Sequence, residues 1–275
     1  MSLSPSEQIA YSTIQIECDY ANGSGTGTGF FFRFWHDEAT NQYVPVVITN
    51  KHVIRGALRG RLTFTKASAQ NEPIDTQHLP ITLDNFEALW RGHPDINVDL
   101  CAMPIAPYLN AANAQGHQLF YKALDKALIP TSEQIAELNA LEEILMIGYP
   151  NGIWDSVNNK PIFRKGITAT HPAKDYNGKK EFMIDAACFP GSSGSPVMIF
   201  NEGVYRDKNG NTFMGRNRIY LLGALYAGPQ HTAQGEIQVV NVPTAQQTVA
   251  ISRIPNNLGL VIKSERIIEL ENLFR

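Results

Sequence analysis

The chain has 275 residues, 43% of them hydrophobic and 18% charged, a balance that belongs to globular proteins and excludes the disordered and collagen-like classes. Its 23 basic and 26 acidic residues leave a net charge of −3 with no Lys/Arg block, which argues against nucleic acid as a partner. The longest apolar runs, such as residues 44–49 and 219–226, are strand-sized and fall far short of the roughly 18–20 residues a membrane helix needs, so no membrane association is expected.

In chain order, residues 1–10 are polar and contain Pro5 and Glu7, so they lack the apolar centre of a secretory signal. This predicts a cytoplasmic protein, or a secreted one whose signal has been removed. Residues 11–18, 30–34, 44–49 and 61–65 are alternating, aromatic or β-branched and predict strands. Ile135, Leu138, Leu141 and Ile144 recur at helical spacing behind Thr131 and Ser132, which predicts a helix over 132–144. Strand patterning resumes at 144–147, 162–170, 182–186, 197–200, 219–226, 237–242 and 258–263, and a last helix over 264–274 starts at Ser264. Strands, one helix, strands and one terminal helix give no βαβ alternation, so an all-β chain of two antiparallel units is expected. Residues 108–143 read as a connector between the two units. Residues 23–29 are Gly-rich, but no Gly-Lys-Ser/Thr follows and the next residues are strand-like, so a phosphate-binding loop is not indicated.

Cys18, Cys101 and Cys188 cannot all pair, and their spacing matches no zinc or redox signature. They read as free thiols. The histidines other than His52 show no metal-ligand spacing, and no cofactor is expected.

Three short stretches carry residue types suited to acyl transfer. Gly191-Ser192-Ser193-Gly194-Ser195-Pro196 places hydroxyls among glycines in one turn between strand-like runs. Attack by a serine needs donors aimed at the oxyanion that forms, and small residues beside the nucleophile leave main-chain N–H groups free to serve. Ser193 is the best-placed oxygen; taken alone, the stretch also fits an ordinary Ser/Gly loop. His52 follows the apolar strand 44–49 and suits a general base, although a lone histidine is more often a structural residue. Asp99 leads directly into the apolar residues 100–103, where a buried carboxylate needs a donor such as an imidazole N–H. Asp95 is a rival in a loop marked by Pro94, and Asp99 also fits a turn or cap role. The order His52, Asp99, Ser193 is that of the chymotrypsin arrangement and differs from the subtilisin and α/β-hydrolase orders.

Together with Gly27-Thr28-Gly29-Phe30, Gly148-Tyr149-Pro150 and residues 223–228, these stretches resemble a trypsin-like (chymotrypsin-fold) serine protease. The resemblance runs over residues 25–270 and is strongest to the bacterial branch containing glutamyl endopeptidases and exfoliative toxins. It implies two six-stranded Greek-key barrels with a cleft between them. Residues 1–107 would form the barrel carrying His52 and Asp99, 108–143 the helical connector, and 144–275 the barrel carrying Ser193 with the terminal helix. It further implies Ser193 as nucleophile, His52 as general base, Asp99 as its orienting acid, and the N–H groups of Gly191 and Ser193 as the oxyanion hole. Ala187, Leu225, Tyr226, Ala227 and Gly228 would form the substrate pocket.

Departures from the pattern are informative. Ser192 stands where trypsin-type zymogens carry an acid, so activation by capture of a new N-terminus is not expected. Ala187 gives no acidic pocket floor, and Leu225 replaces the histidine of glutamyl endopeptidases. A small or apolar side chain at the cleaved position is expected of the protein or peptide substrate. The segments 108–143 and 201–218 are places where a regulatory protein partner would dock, or else plain surface insertions. A catalytically silent protease fold acting as a binding module is the alternative to an active hydrolase.

Overall fold

The computed structural model describes residues 3–236 and 249–275. After a one-turn helix α1 (Pro5–Ile9), strands β1 (Thr13–Tyr20), β2 (Gly23–Asp37) and β3 (Gln42–Thr49) lead into the short helix α2 (Lys51–Ile54). There follow β4 (Arg59–Ala67), β5 (Pro73–Asp84), β6 (Arg91–Gly92), β7 (Cys101–Pro104), helix α3 (Ala106–Ala114), β8 (Leu119–Phe120) and helix α4 (Ser132–Ala136). The second half comprises β9 (Glu143–Gly148), β10 (Ile162–Thr168), β11 (Glu181–Asp185), β12 (Pro196–Asn201), β13 (Val204–Arg206), β14 (Thr212–Met214) and β15 (Arg218–Ala227). It ends with β16 (Gln230–Glu236), β17 (Val249–Pro255), β18 (Leu258–Lys263) and α5 (Glu265–Ile268). The strand expected over 237–242 lies outside the described residues.

The second half closes as a barrel in the order β10-β11-β18-β15-β12-β9. The first half is an eight-stranded antiparallel sheet in the order β5-β4-β1-β2-β3-β7-β6, with β8 on β4. No ladder joins β5 to β6 among the described residues, so the expected six-stranded closure is replaced by a wider sheet. Between β5 and β6 the chain instead makes the tight turn Phe86–Leu89, with the fully buried Phe86 edge-on to Trp90, ring centroids 5.6 Å apart.

Strand alternation explains how the sheet is buried on both faces. Phe30, Phe32 and Phe34 of β2, with Val46 and Ile48 of β3, pack with Ile147, Met198, Leu221 and Ile262 of the barrel in one shared core. Phe31 and Val47 point the other way and pack with Ile14, Ile16, Leu62 and Phe64. A third core, containing Met146, Ile184, Val197, Leu225 and Val261, fills the barrel.

The two expected long helices are shorter. The helix predicted over 132–144 stops at Ala136, although Thr131 and Gln134 do form a capping box. Beyond it Glu142 is drawn inward to a buried ion pair with Arg218 at 2.5 Å, and Ile144 pairs with Gly166 in the barrel. Tertiary pairing overrides the local helical period here. The terminal helix divides into α5 and a tight turn Glu271–Phe274, and Ser264 makes no side-chain cap. Its apolar face still buries Ile267, Leu270 and Phe274 in the shared core, while Trp35 Nε1 takes the Glu271 carbonyl at 3.0 Å. The segment 201–218 folds into the β13–β14 hairpin.

Candidate functional site

His52 is the second residue of α2, not the end of a strand. β3 carries the chain out of the core to Thr49, and one helical turn then presents the imidazole. Asn50 Nδ2 donates to the Asp99 carbonyl at 2.7 Å and so ties this turn to the loop before β7. Asp99 sits two residues ahead of β7, where Leu100, Cys101, Ala102 and Met103 are buried and anchor it.

These two residues and Ser193 come together. His52 Nδ1 lies 2.5 Å from Asp99 Oδ2, and the His52 main-chain N–H donates to Asp99 Oδ1 at 3.0 Å. On the other side of the ring, His52 Nε2 lies 2.9 Å from Ser193 Oγ. Burial alone would raise the Asp99 carboxyl, but the hydrogen bonds and charge of His52 outweigh it and hold the group below its ordinary value. Asp95 is not part of this set: it pairs with Arg266 at 2.5 Å and accepts the Asn97 N–H in its own loop.

The turn bearing Ser193 is fixed by partners from three directions. From β2, the Thr28 N–H donates to the Ser193 carbonyl at 2.9 Å and Thr28 Oγ1 donates to the Gly191 carbonyl at 2.8 Å. From the turn after β9, the Asn151 N–H donates to the Pro190 carbonyl at 2.6 Å. From β10, Arg164 Nη1 donates to the Ala187 carbonyl and, at 2.8 Å, to Ser192 Oγ. Gly191 and Gly194 have φ of +84° and +86°, and a Cβ on them would lie 2.5 Å from the Tyr149 carbonyl oxygen and 1.9 Å from that of Thr28. Side chains are excluded at both positions.

Within the turn, the N–H groups of Ser192, Gly194 and Ser195 donate to the carbonyls of Phe189, Leu225 and Ser192. Among the described residues, the N–H groups of Gly191 and Ser193 have no acceptor. The peptide between Pro190 and Gly191 is trans, so the Gly191 N–H points away from the side on which Asn151 holds the Pro190 carbonyl.

Beside Ser193 opens a cavity of about 330 Å³ lined by Cys188, Phe189, Pro190, Leu225, Tyr226, Ala227, Gly228 and Pro229. Four of the five expected pocket residues line it. Ala187 is not among the lining residues, and its carbonyl is taken by Arg164. No lining side chain carries a formal charge, and burial pushes the Cys188 thiol up to about 11. A larger groove of about 570 Å³ beside α4 includes none of His52, Asp99 and Ser193, and its Lys263 and Asp175 pair with each other at 2.6 Å. Among the described residues, no group of three or more His, Cys, Asp or Glu could hold a metal ion.

Sequence reasoning missed three contributors to this site. Thr28 sits in Gly27-Thr28-Gly29-Phe30, where nothing local singles out its hydroxyl. Asn151 is signalled by Pro150-Asn151-Gly152, a turn in which Asn151 has φ of +51°. Arg164 leaves no local signal, because an arginine in an alternating strand looks like a solvent-facing charge.

The sequence matches the Trypsin-like peptidase domain family over residues 27–204. No curated protein matches it significantly. Among solved structures, it is similar to an HtrA-type protease AlgW with tripeptide, at 16% identity and a TM-score of 0.49, covering 96% of this chain and 60% of that one. It is also similar to a serine endoprotease from Yersinia pestis, at 13% identity and a TM-score of 0.49, covering 99% of this chain and 67% of that one. The Tobacco Etch Virus protease gives 10% identity and a TM-score of 0.49, covering 100% and 82% of the two chains. The chain thus spans less than two thirds of the length of the AlgW chain.

Proposed function

Because the chain belongs to the trypsin-like peptidase domain family, we propose that it is a serine endopeptidase that hydrolyses peptide bonds through an acyl-enzyme on Ser193. The observation that carries this reading is the continuous path from Asp99 through His52 to Ser193, with contacts of 2.5 and 2.9 Å. The His52–Ser193 contact lies within the reach that proton transfer requires, and the Asp99–His52 contact orients the ring.

In this mechanism Ser193 Oγ attacks the carbonyl carbon of the scissile bond and passes its proton to His52 Nε2. Asp99 accepts a hydrogen bond from the Nδ1–H of the ring, which stays on the nitrogen; it fixes the tautomer and stabilises the imidazolium that forms. The oxyanion of the tetrahedral intermediate takes hydrogen bonds from the Gly191 and Ser193 N–H groups, which the fold leaves without other acceptors. Collapse expels the amine, which receives the proton from His52. Water, deprotonated by His52 in turn, then releases the acyl group from Ser193.

The uncharged cavity beside Ser193 supports a small or apolar side chain at the cleaved position. A peptide-library profile dominated by Lys, Arg or Glu would overturn that preference. The Gly27-Thr28-Gly29-Phe30 and Gly148-Tyr149-Pro150 stretches support kinship with the glutamyl endopeptidase and exfoliative toxin branch, and 108–143 and 201–218 are the proposed docking segments for a regulatory protein. The decisive experiment is covalent labelling with a fluorophosphonate, expected in the wild type and lost in Ser193→Ala. A wild type that stays unlabelled would favour the silent binding module.

A further inference from the structure

Arg164 lies in the middle of β10, opposite Met146 of β9. Its Nη1 reaches two oxygens of the nucleophile turn, the Ala187 carbonyl and Ser192 Oγ. Its Nε and Nη2 are sealed from solvent and, among the described residues, have no hydrogen-bond partner. Among the described residues no carboxylate pairs with it, and burial holds the guanidinium below its ordinary pKa.

A buried cation without a counter-ion is costly, and an apolar side chain would fill a barrel wall without that penalty. The residue is therefore a poor choice for stability alone, and the oxygens it does reach indicate its use. Ser192 stands between Gly191 and Ser193 and is 1% exposed, and its hydroxyl also accepts the Phe189 N–H at 3.2 Å. A single guanidinium nitrogen thus bridges the start of the turn at Ala187 to the residue between the two N–H groups that lack acceptors. Thr28 and Asn151 hold the same turn through its carbonyls from outside the barrel strands. Arg164 is the anchor from within the barrel. We propose that Arg164 is a positioning residue that, through Ser192 and Ala187, sets the peptide planes of Gly191 and Ser193 so that both N–H groups converge on the oxyanion.

This assignment rests on the hydrolase reading. It also accounts for a serine at the position before the nucleophile: an internal cation takes a hydroxyl there, and no acid is needed to recruit a charged partner. The bridge runs through Nη1 alone, so a lysine ammonium reaching the same place would restore part of it.

The test uses Arg164→Met, Arg164→Lys, Ser192→Ala and the Arg164→Met/Ser192→Ala double variant, with p-nitrophenyl acetate turnover and the fluorophosphonate labelling rate as probes. Circular dichroism and thermal melting report folding. Arg164→Met is expected to lower kcat about 10- to 100-fold, approaching the loss of one oxyanion donor, with KM within about twofold. Arg164→Lys recovers part of the rate, and the double variant loses no more than the worse single one. If Arg164→Met does not fold, Ser192→Ala carries the test: a lower kcat at unchanged melting temperature supports the assignment, and a wild-type kcat overturns it. A folded Arg164→Met with wild-type kcat and labelling also overturns it. So does a loss confined to peptides with Asp or Glu at the cleaved position, which would make Arg164 a pocket group. A wild type inert to both probes removes the hydrolase reading and this assignment together, whereas a reactive wild type with an equally reactive Arg164→Met removes only the latter.

Discussion

Asp99 uses both carboxylate oxygens on His52, Oδ2 on the ring Nδ1 at 2.5 Å and Oδ1 on the main-chain N–H at 3.0 Å. One acid therefore fixes the position of the backbone and the orientation of the ring. Asp99→Asn keeps the shape and can still accept at one atom, but it favours the wrong ring tautomer. The expected result is a drop in kcat of about 10⁴-fold with little change in KM, read from steady-state ester hydrolysis.

Thr28 joins β2 to the nucleophile turn and to the start of the second half, since its Oγ1 donates to the Gly191 carbonyl and accepts the Tyr149 N–H at 3.1 Å. Thr28→Val preserves the volume and leaves both partners unpaired. Urea denaturation should show a loss of about 1–3 kcal/mol, and the fluorophosphonate labelling rate should fall as well. An unchanged labelling rate would separate this hydroxyl from the site.

Cys188 lines the cavity beside Ser193, yet burial pushes its thiol to about 11. At pH 8 nearly all of it is protonated and unreactive. Iodoacetamide is therefore expected to leave hydrolysis intact under conditions in which a fluorophosphonate abolishes it. Inactivation by both reagents at equal rates would point to the thiol.

His93 has a fully buried side chain near α5, with Nε2 3.3 Å from Glu269 Oε2 but not aligned for a hydrogen bond. Burial lowers its pKa, against the raising pull of Glu269 and with Arg266 and Lys51 adding to the lowering. The unfolded chain takes up this proton near the ordinary histidine value of about 6.5, whereas the native chain does so only at lower pH. The neutral ring thus contributes stability that is complete above that value and is lost as pH falls through the native pKa. Thermal melting from pH 7.5 down to 5 should show a falling midpoint, with a shallower slope in His93→Gln.

The β architecture was legible because strand signals repeat: the run Phe30 to Phe34 and the alternation near Ile14, Val46 and Ile184 all correspond to buried strands. His52, Asp99 and Ser193 were legible because each stands at the edge of such a run, where a polar residue needs a reason. The helix expected over 132–144 runs too far: Leu138, Leu141 and Ile144 keep helical spacing, but α4 ends at Ala136 and Ile144 pairs with Gly166 in the barrel, where the strand expected from 144 begins. The strand order of the first sheet was equally hidden, because which strands pair at its edges leaves no periodic trace in the sequence. Arg164 is the sharpest case: Ile162 to Thr168 alternates like any half-exposed strand, and only the assembled barrel shows its guanidinium enclosed.

The shared core has a mechanical consequence. His52 is delivered by the sheet and Ser193 by the barrel, so their 2.9 Å separation is gauged by the thickness of the apolar layer that Phe32, Ile48, Met198 and Leu221 form between them. Side chains packed at crystal density do not compress or stretch freely. That layer works as a caliper, and a methylene added or removed deep within it would shift the reach of the imidazole without touching either side chain.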